Sequence, residues 1–446
     1  MTNTLVRMPR HARDPHRPVL PAVVACTLVT LTLVGAAGAA GARGTSAPTA
    51  AAPAGTTPTV AAAFTASPTP SAAPTPDPDV ELSIVATGDV LPHLPVVRSA
   101  RTGDGYEFGN LLAPLDPWVS AADLALCHLE VPVAPDGTAP SGYPVFGAPA
   151  QLAAGLAGQG WDGCSTASNH SVDRGFAGVT ATLDALDAAG LGHVGTARSA
   201  QEAQRPQLYT LERSGRTVTV AHLAATYGTN GMPVDADKPW SVDLLDPEAD
   251  DVVQRATAAR DAGADLVLVS LHWGVEYRTE PTDAQRAIAQ RLAESGAVDL
   301  VIGHHAHVPQ PVEHLAGGPD GTGMWVAYGL GNYVSNQDEA CCAASTASGL
   351  LLTAEVVATG ADPAAGTPAG PARVVGVQWT PVTVDRRDGH QVHALTDIPD
   401  GTSTLTSAQV AARLALVREA AGSQAAERTT PVTTTGPGPV VVRRTP

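Results

Sequence analysis

Basic side chains and cysteines are scarce in this chain of 446 residues, and each scarcity removes a class of function. Only 26 Lys and Arg stand against 43 Asp and Glu, giving a formal charge of −17 and a pI ≈ 5.1. The phosphate-neutralising surface that a nucleic-acid partner requires is therefore missing. The 5 cysteines are too few for a disulfide scaffold, because Cys26 falls in an apolar N-terminal run. One bridge among Cys127, Cys164, Cys341 and Cys342 is allowed but not required. Cys127 and Cys164 each lie in an apolar strand-like run, so buried packing is their expected role. Residues 43–79 have almost nothing to bury: they are nearly all Ala, Pro, Thr, Gly and Ser, the composition of a disordered extended linker.

Before that linker, Arg7, Arg10, Arg13 and Arg17 precede an apolar run from Val19 to Ala42 that ends in small residues. Residues 1–42 have the pattern of an export signal, cleaved or kept as a membrane anchor, and either outcome places the remainder outside the cytoplasm. The run continues well past Cys26, so VVAC there is a poor lipoprotein box. At 44% hydrophobic, the chain can bury a sizeable core, and globular sequence begins near Val80. It is expected to extend over 80–386, with 387–446 as a C-terminal extension. Ser407 to Ala421 reads as a helix, and the Thr/Pro/Val-rich end from Thr429 reads as disordered.

Polar chemistry in the globular part recurs at the ends of apolar runs. Leu82 to Thr87 is followed by Gly-Asp89, and Ala122 to Leu129 leads to Glu130. Trp161 to Ser168 leads to Asn169-His170, and Ala264 to Leu271 leads to His272. The densest stretch is VIGHHAHVPQ, Val301 to Gln310, with three histidines within four positions. Gly303 would let the chain turn out of a buried strand there. With an extended backbone, His305 and His307 would point the same way and His304 the other. Neutral imidazoles with carboxylate and amide oxygens suit zinc, iron or manganese in a hydrolytic centre. His93, Glu276, His304 and Asn332 are further candidates for the same site. Ser168, His170 and Asp173 lie too close in sequence to converge as a serine-hydrolase triad does.

The strand–helix–strand order from Ala264 to Ile302 predicts parallel pairing, with a helix capped by Thr282 and stopped at Gly296. The longer alternating runs Ser348 to Ala358 and Arg373 to Val384 predict antiparallel strands in a second sheet.

The ordered set Asp89, Glu130, Asn169-His170, His272 and His305-x-His307 resembles the CapA family. These are bacterial poly-γ-glutamate capsule synthesis proteins related to calcineurin-like metallophosphoesterases. The resemblance rests on ATGDV, HLEVP, SNHSVDRG, the long SLHWGVEYRTEPTDAQRAIAQRLAESGAVDLVIGHHAHVPQPVE and YGLGNYVSNQ, and covers roughly Glu81 to Asp385. It implies an α/β fold, a four-layer α/β/β/α sandwich, with a metallophosphoesterase-like site on loops at one edge. It also implies Asp89, Glu130, Asn169, His272, His305 and His307 as ligands of one or two divalent metal ions (Mn, Zn or Fe), and His170 as acid. Three positions depart from the family: His128 stands where Asn is common, Ser168 where Asn often precedes Asn-His, and Ala306 where Pro usually parts the last histidines. Val90 and Leu91 follow Asp89, so the Asp-x-His of ordinary metallophosphoesterases is absent.

Two functions from different classes fit. One is an extracytoplasmic metal-dependent hydrolase or transferase acting on an anionic capsule polymer, poly-γ-glutamate or similar, or on its phosphorylated precursor. The other is a non-catalytic accessory protein, held to the membrane by the N-terminal segment, that tethers or guides such a polymer.

Overall fold

The structure, a computed structural model, describes residues 75–445. The expected export segment and most of the linker lie outside the described residues. Two mixed sheets form the frame. The first, of nine strands, runs Gln391–Ala394, Ala372–Asp385, Ser348–Ala358, Val80–Val90, Leu124–Leu129, Gly163–Ser165, Gly192–Val194, with Asn332–Val334 and Ala426–Glu427 added at its margins. The second, of seven strands, runs Val312–Leu315, Met324–Ala327, Leu300–His304, Leu266–His272, Arg216–Thr226, Gln207–Arg213, Val440–Val442. Each carries a parallel centre with antiparallel additions.

Side-chain alternation sorts the core. In Leu124–Leu129, Leu124 and Leu126 face a core shared by both sheets, while Ala125, Cys127 and Leu129 face one shared with the helices between Leu94 and Ala188. In Leu266–His272, Leu266 and Leu268 join the shared core, and Val267, Val269 and Leu271 pack under the helices Asp250–Asp261 and Asp283–Ser295. A strand buried on both faces reads as a continuous apolar run for this reason. Each such Leu or Val contributes about 1.5–3 kcal/mol by burial. The helix Asp283–Ser295 begins with Thr282 and Gln285 bonded reciprocally, and ends at Gly296 with φ 67°.

At the amino ends of the parallel strands, an aspartate repeatedly accepts a neighbouring strand's backbone N–H. Asp123 takes Ser83 N at 2.8 Å and Asp162 takes Ala125 N at 2.8 Å. Asp265 takes Thr219 N at 2.8 Å and Asp299 takes Val267 N at 2.6 Å. This end is closed structurally, which leaves the carboxyl ends for chemistry.

Several expectations are corrected. Ser348–Ala358 and Ala372–Asp385 are antiparallel but extend the first sheet, because Ser348–Ala358 pairs directly with Val80–Val90. Cys127 and Cys164 form a disulfide, with Cα atoms 4.3 Å apart, since parallel pairing puts them in register. Gly303 lies inside its strand: a Cβ there would sit 1.9 Å from Tyr328 O, and one at Gly88 would sit 2.0 Å from Gly331 O. Both glycines admit the segment Tyr328 to Gly331, whose Leu330 N reaches Gly303 O at 2.9 Å while Gly331 O accepts Asp89 N at 2.8 Å. That segment stitches the two sheets together beside the histidines.

The tail from Thr429 is ordered rather than loose. Thr435 N donates to Asp123 Oδ1 at 2.7 Å, where Arg213 Nη2 also donates at 2.8 Å. Val440–Val442 then pairs with Gln207–Arg213. Arg444 is buried, donating to the carbonyls of His193 at 2.8 Å and Glu202 at 2.6 Å. Composition alone does not reveal these anchors, because they are single polar groups matched to distant partners.

Candidate metal centre

The carboxyl ends of the two parallel sets meet face to face. Register aligns Asp89 with His128 and Asn332 in the first sheet, and His272 with His304 in the second. Asp89 and Glu130 are fully buried. His307 Nδ1 lies 2.9 Å from Asp89 Oδ2, and its Nε2 lies 3.7 Å from Glu130 Oε1. Asp89, Glu130 and His307 can thus present one atom each to a common ion. Glu276, exposed, does so with His305 and His307, and Asp89 does so with His128 and His304.

The polar atoms here are conspicuously unmatched. Both oxygens of Glu130, both ring nitrogens of His304, Nδ1 of His305 and Oδ1 of Asn332 are buried without a hydrogen-bond partner. An orphaned buried polar group costs roughly 1–3 kcal/mol. A cation would satisfy the carboxylate oxygens and one lone-pair nitrogen of each ring, and that donor set of imidazole nitrogens and carboxylates fits a divalent metal. Charge states at Asp89, His128, His272 and His305 agree with that chemistry, whereas Glu130 and His307 hold protons that a bound metal ion would displace. Burial holds the His128 and His272 rings well below their ordinary range and brings His305 to about 3, leaving neutral lone pairs. Burial would raise Asp89, but His304 and His307 beside it keep it well below the usual carboxylate range. Burial drives Glu130 well above that range, and the carboxylates of Asp89 and Glu276 add to the effect. Burial works against the charged form of His307, but Glu130 and Asp89 outweigh it and raise the ring to about 9.

Six sequence-predicted ligands gather, though not as an extended His-x-His would bring them. His305 and His307 adopt left-handed backbone, φ 85° and 57°, and their ring centroids lie 6.1 Å apart. Such conformations cost a non-glycine residue free energy and concentrate at functional sites. His304 is not set apart from them as alternation predicts: its Nδ1 lies 3.5 Å from the Asp89 carboxylate that His307 also meets, and its ring stacks on His128 with centroids 3.9 Å apart. Asn169 Oδ1 lies 2.9 Å from His272 Nε2, on a turn beyond the short strand Gly163–Ser165.

His170 sits at the mouth, its Nδ1 2.8 Å from Asp173 Oδ2 and its ring edge-on to Phe146. Ser168 takes no part in a triad, since its hydroxyl donates to Glu130 O at 2.5 Å and accepts His170 N at 3.0 Å. His93 lines the same mouth but joins none of the ligand groups, its Nδ1 lying 3.0 Å from Leu91 O. Asn332 holds the loop: Nδ2 donates to Thr346 O and Gln337 Oε1, each at 2.9 Å.

Sequence reading missed His128, treated there only as a departure. Its Nε2 lies 3.0 Å from His272 Nδ1 and its Nδ1 lies 2.8 Å from Ser165 Oγ. This chain of contacts fixes the orientation of the His272 ring, and with it which nitrogen faces Asn169. Tyr227, its ring tilted 41° against that of His305 with centroids 4.6 Å apart, and Asn230, 3.3 Å from Asn169 Nδ2, were also missed. The Gly and Asn after the apolar run ending at Thr226 were the available signal.

Fold and site together define a mixed α/β protein with a candidate metal centre at the seam of its sheets. The chain belongs to the bacterial capsule synthesis protein family PGA_cap, whose profile matches residues 83–337. A probable polyglutamine synthesis accessory protein of Mycobacterium tuberculosis is 32% identical over 292 residues, 63% of this chain and 70% of that protein. The PGA biosynthesis protein CapA of Bacillus subtilis is 33% identical over 174 residues, 39% of this chain and 42% of that one. The crystal structure of the calcineurin-like phosphoesterase YfkN from B. subtilis superposes with a TM-score of 0.39 at 14% identity, covering 77% of this chain and 98% of that one. That likeness is too loose to transfer residue roles. Among the described residues no helix is long and apolar enough to cross a membrane.

Proposed function

We propose that this protein acts outside the cytoplasm in the synthesis or attachment of a capsule polymer of poly-γ-glutamate type, through a metal-dependent hydrolase or transferase site of the metallophosphoesterase kind. The observation that carries this reading is the set of orphaned buried atoms of Glu130 and His304 around Asp89 and His307. Asp89, Glu130 and His307 would hold one ion, and Asn169, His272 and His305 complete the oxygen and nitrogen donors nearby. A bound divalent ion of the Mn, Zn or Fe type supplies Lewis acidity and neutralises charge that develops on the scissile group. His170 has Nδ1 engaged by Asp173, which leaves Nε2 to pass a proton to a leaving oxygen. The export pattern of residues 1–42 and the Cys127–Cys164 bridge, a feature of oxidising compartments, support the location.

The test is elemental analysis of the purified protein together with turnover of a generic phosphodiester and of poly-γ-glutamate. His170→Ala should keep its metal and melting temperature and lose about 10²–10⁴-fold in rate. Full metal and full stability with unchanged turnover would remove His170 as acid. Metal binding without turnover of either substrate, with capsule retention lost in His305→Ala but normal in His170→Ala, would establish the tethering function instead.

A further inference from the structure

We propose that the cleft wall above the candidate metal centre is a subsite for an uncharged glycan, a run of sugar rings laid beside the centre. The cleft has a volume of ≈ 640 Å³, and none of its 14 lining residues is Lys or Arg. Its charged groups are the carboxylates of Asp173 and Glu276, and its neutral polar groups include the amides of Asn230, Asn336 and Gln337. Arg386, behind Asn336, is committed to Asp338 and to Asn336 Oδ1. The His170 ring in this wall is held against Asp173 at 2.8 Å, so the wall offers a polyanion little to pair with on a chain whose net charge is already −17. An anionic polymer would be held by an ion at the centre rather than by this wall.

Rings and apolar groups ring the same opening. Tyr143 is 80% exposed, Tyr277 39%, Val145 40% and Met232 37%, and all four line the cleft. Large side chains left in water normally occur singly, so their gathering on one rim marks a binding surface. Tyrosine faces match the C–H faces of a pyranose, and carboxylates and amides match its hydroxyls. Uncharged rings with many hydroxyls are thus the chemistry this wall complements. The capsule reading enters only in placing a reacting centre next to the bound glycan; binding to the wall is independent of metal.

The experiment is calorimetric titration of the purified protein, metal-loaded and chelator-treated, with chitotetraose, maltotetraose and a short poly-γ-glutamate. A neutral tetrasaccharide should bind both forms. Tyr143→Ala and Tyr277→Ala should each weaken that binding roughly 2- to 12-fold, while Tyr143→Phe leaves it unchanged. Failure of both oligosaccharides to bind, wild-type affinity in both alanine variants, or tighter binding of poly-γ-glutamate than of sugar to the chelator-treated form would each overturn the proposal. A protein that takes up no metal but still binds the tetrasaccharide would sink the catalytic reading and leave this one standing.

Discussion

The two sheets make unlike contributions to the centre. The first delivers oxygen, from Asp89, Glu130 and Asn169, while the second delivers most of the nitrogen, from His272, His304, His305 and His307. Glu276 and His128 are the exceptions: Glu276 lies after a strand of the second sheet and His128 within the first. Oxygen and nitrogen are brought together by the pairing of the sheets, so the centre exists only where both carboxyl ends face one another. An oxygen set without its imidazoles is a pair of mutually repelling carboxylates, and the imidazoles alone are a neutral cluster. Metal affinity should therefore report on the seam between the sheets as much as on any ligand.

The largest effect is expected from Asp89→Asn, because Asp89 belongs to two of the three candidate ligand groups. Metal affinity should fall by roughly 100-fold or more, beyond the range usual for a residue that merely orients a ligand. Dialysis against metal followed by elemental analysis checks it, and retention of full stoichiometry would show that the Asp89 carboxylate is dispensable. Arg444→Ala comes next. It leaves buried carbonyls of His193 and Glu202 unpaired and releases the tail that runs from the first sheet to the second, at a cost of roughly 2–4 kcal/mol in denaturant unfolding. A stability equal to wild type would mean that the tail lies on the fold without holding it.

His128→Phe should weaken metal binding about 10- to 100-fold with little change in melting, because it removes the contact that holds the His272 ring in its orientation. His128→Asn, which restores a side-chain hydrogen bond, should recover part of the loss. Equal affinity in wild type and His128→Phe would show that the His272 ring is oriented without it.

The smallest effect belongs to the closed end of the first sheet. Burial raises Asp162 to about 7 from an ordinary value of 3.8, so the folded protein holds that proton more tightly than the unfolded chain. The contribution is fully favourable below pH 3.8 and is lost as pH climbs through about 7. In Asp162→Asn the decline in melting temperature across that window should be shallower than in wild type. An identical slope would show that other groups dominate it.

Much of the centre was legible in the sequence because each ligand follows an apolar run, and a strand that ends in a polar residue announces itself locally. Asp89, Glu130 and His272 were visible in this way. His128 was not, since a histidine within a buried strand resembles a packing residue until its neighbours across the seam are known. The Cys127–Cys164 bridge depends on strand register, which no local pattern prints. The order of the tail was hidden for a related reason: its residues are Thr, Pro and Val, and its anchors are partners more than 200 positions earlier, such as Tyr209, opposite Val441. The left-handed backbone at His305 and His307 defeated a simple alternation argument, although the histidines still converge.

The far-reaching tail also has a bearing on the time course of assembly. Pairing of Val440–Val442 with Gln207–Arg213 closes a loop of most of the second half of the chain, and contacts of such separation form slowly. Until they form, Asp123 and Arg213 lack the Thr435 partner that ties the two sheets at their closed end. The opposed carboxyl ends would then be free to drift, and a cation arriving early would meet an incomplete cage. Capacity to bind metal should accordingly mature last during refolding, in step with docking of the final residues rather than with the rapid burial of the strands.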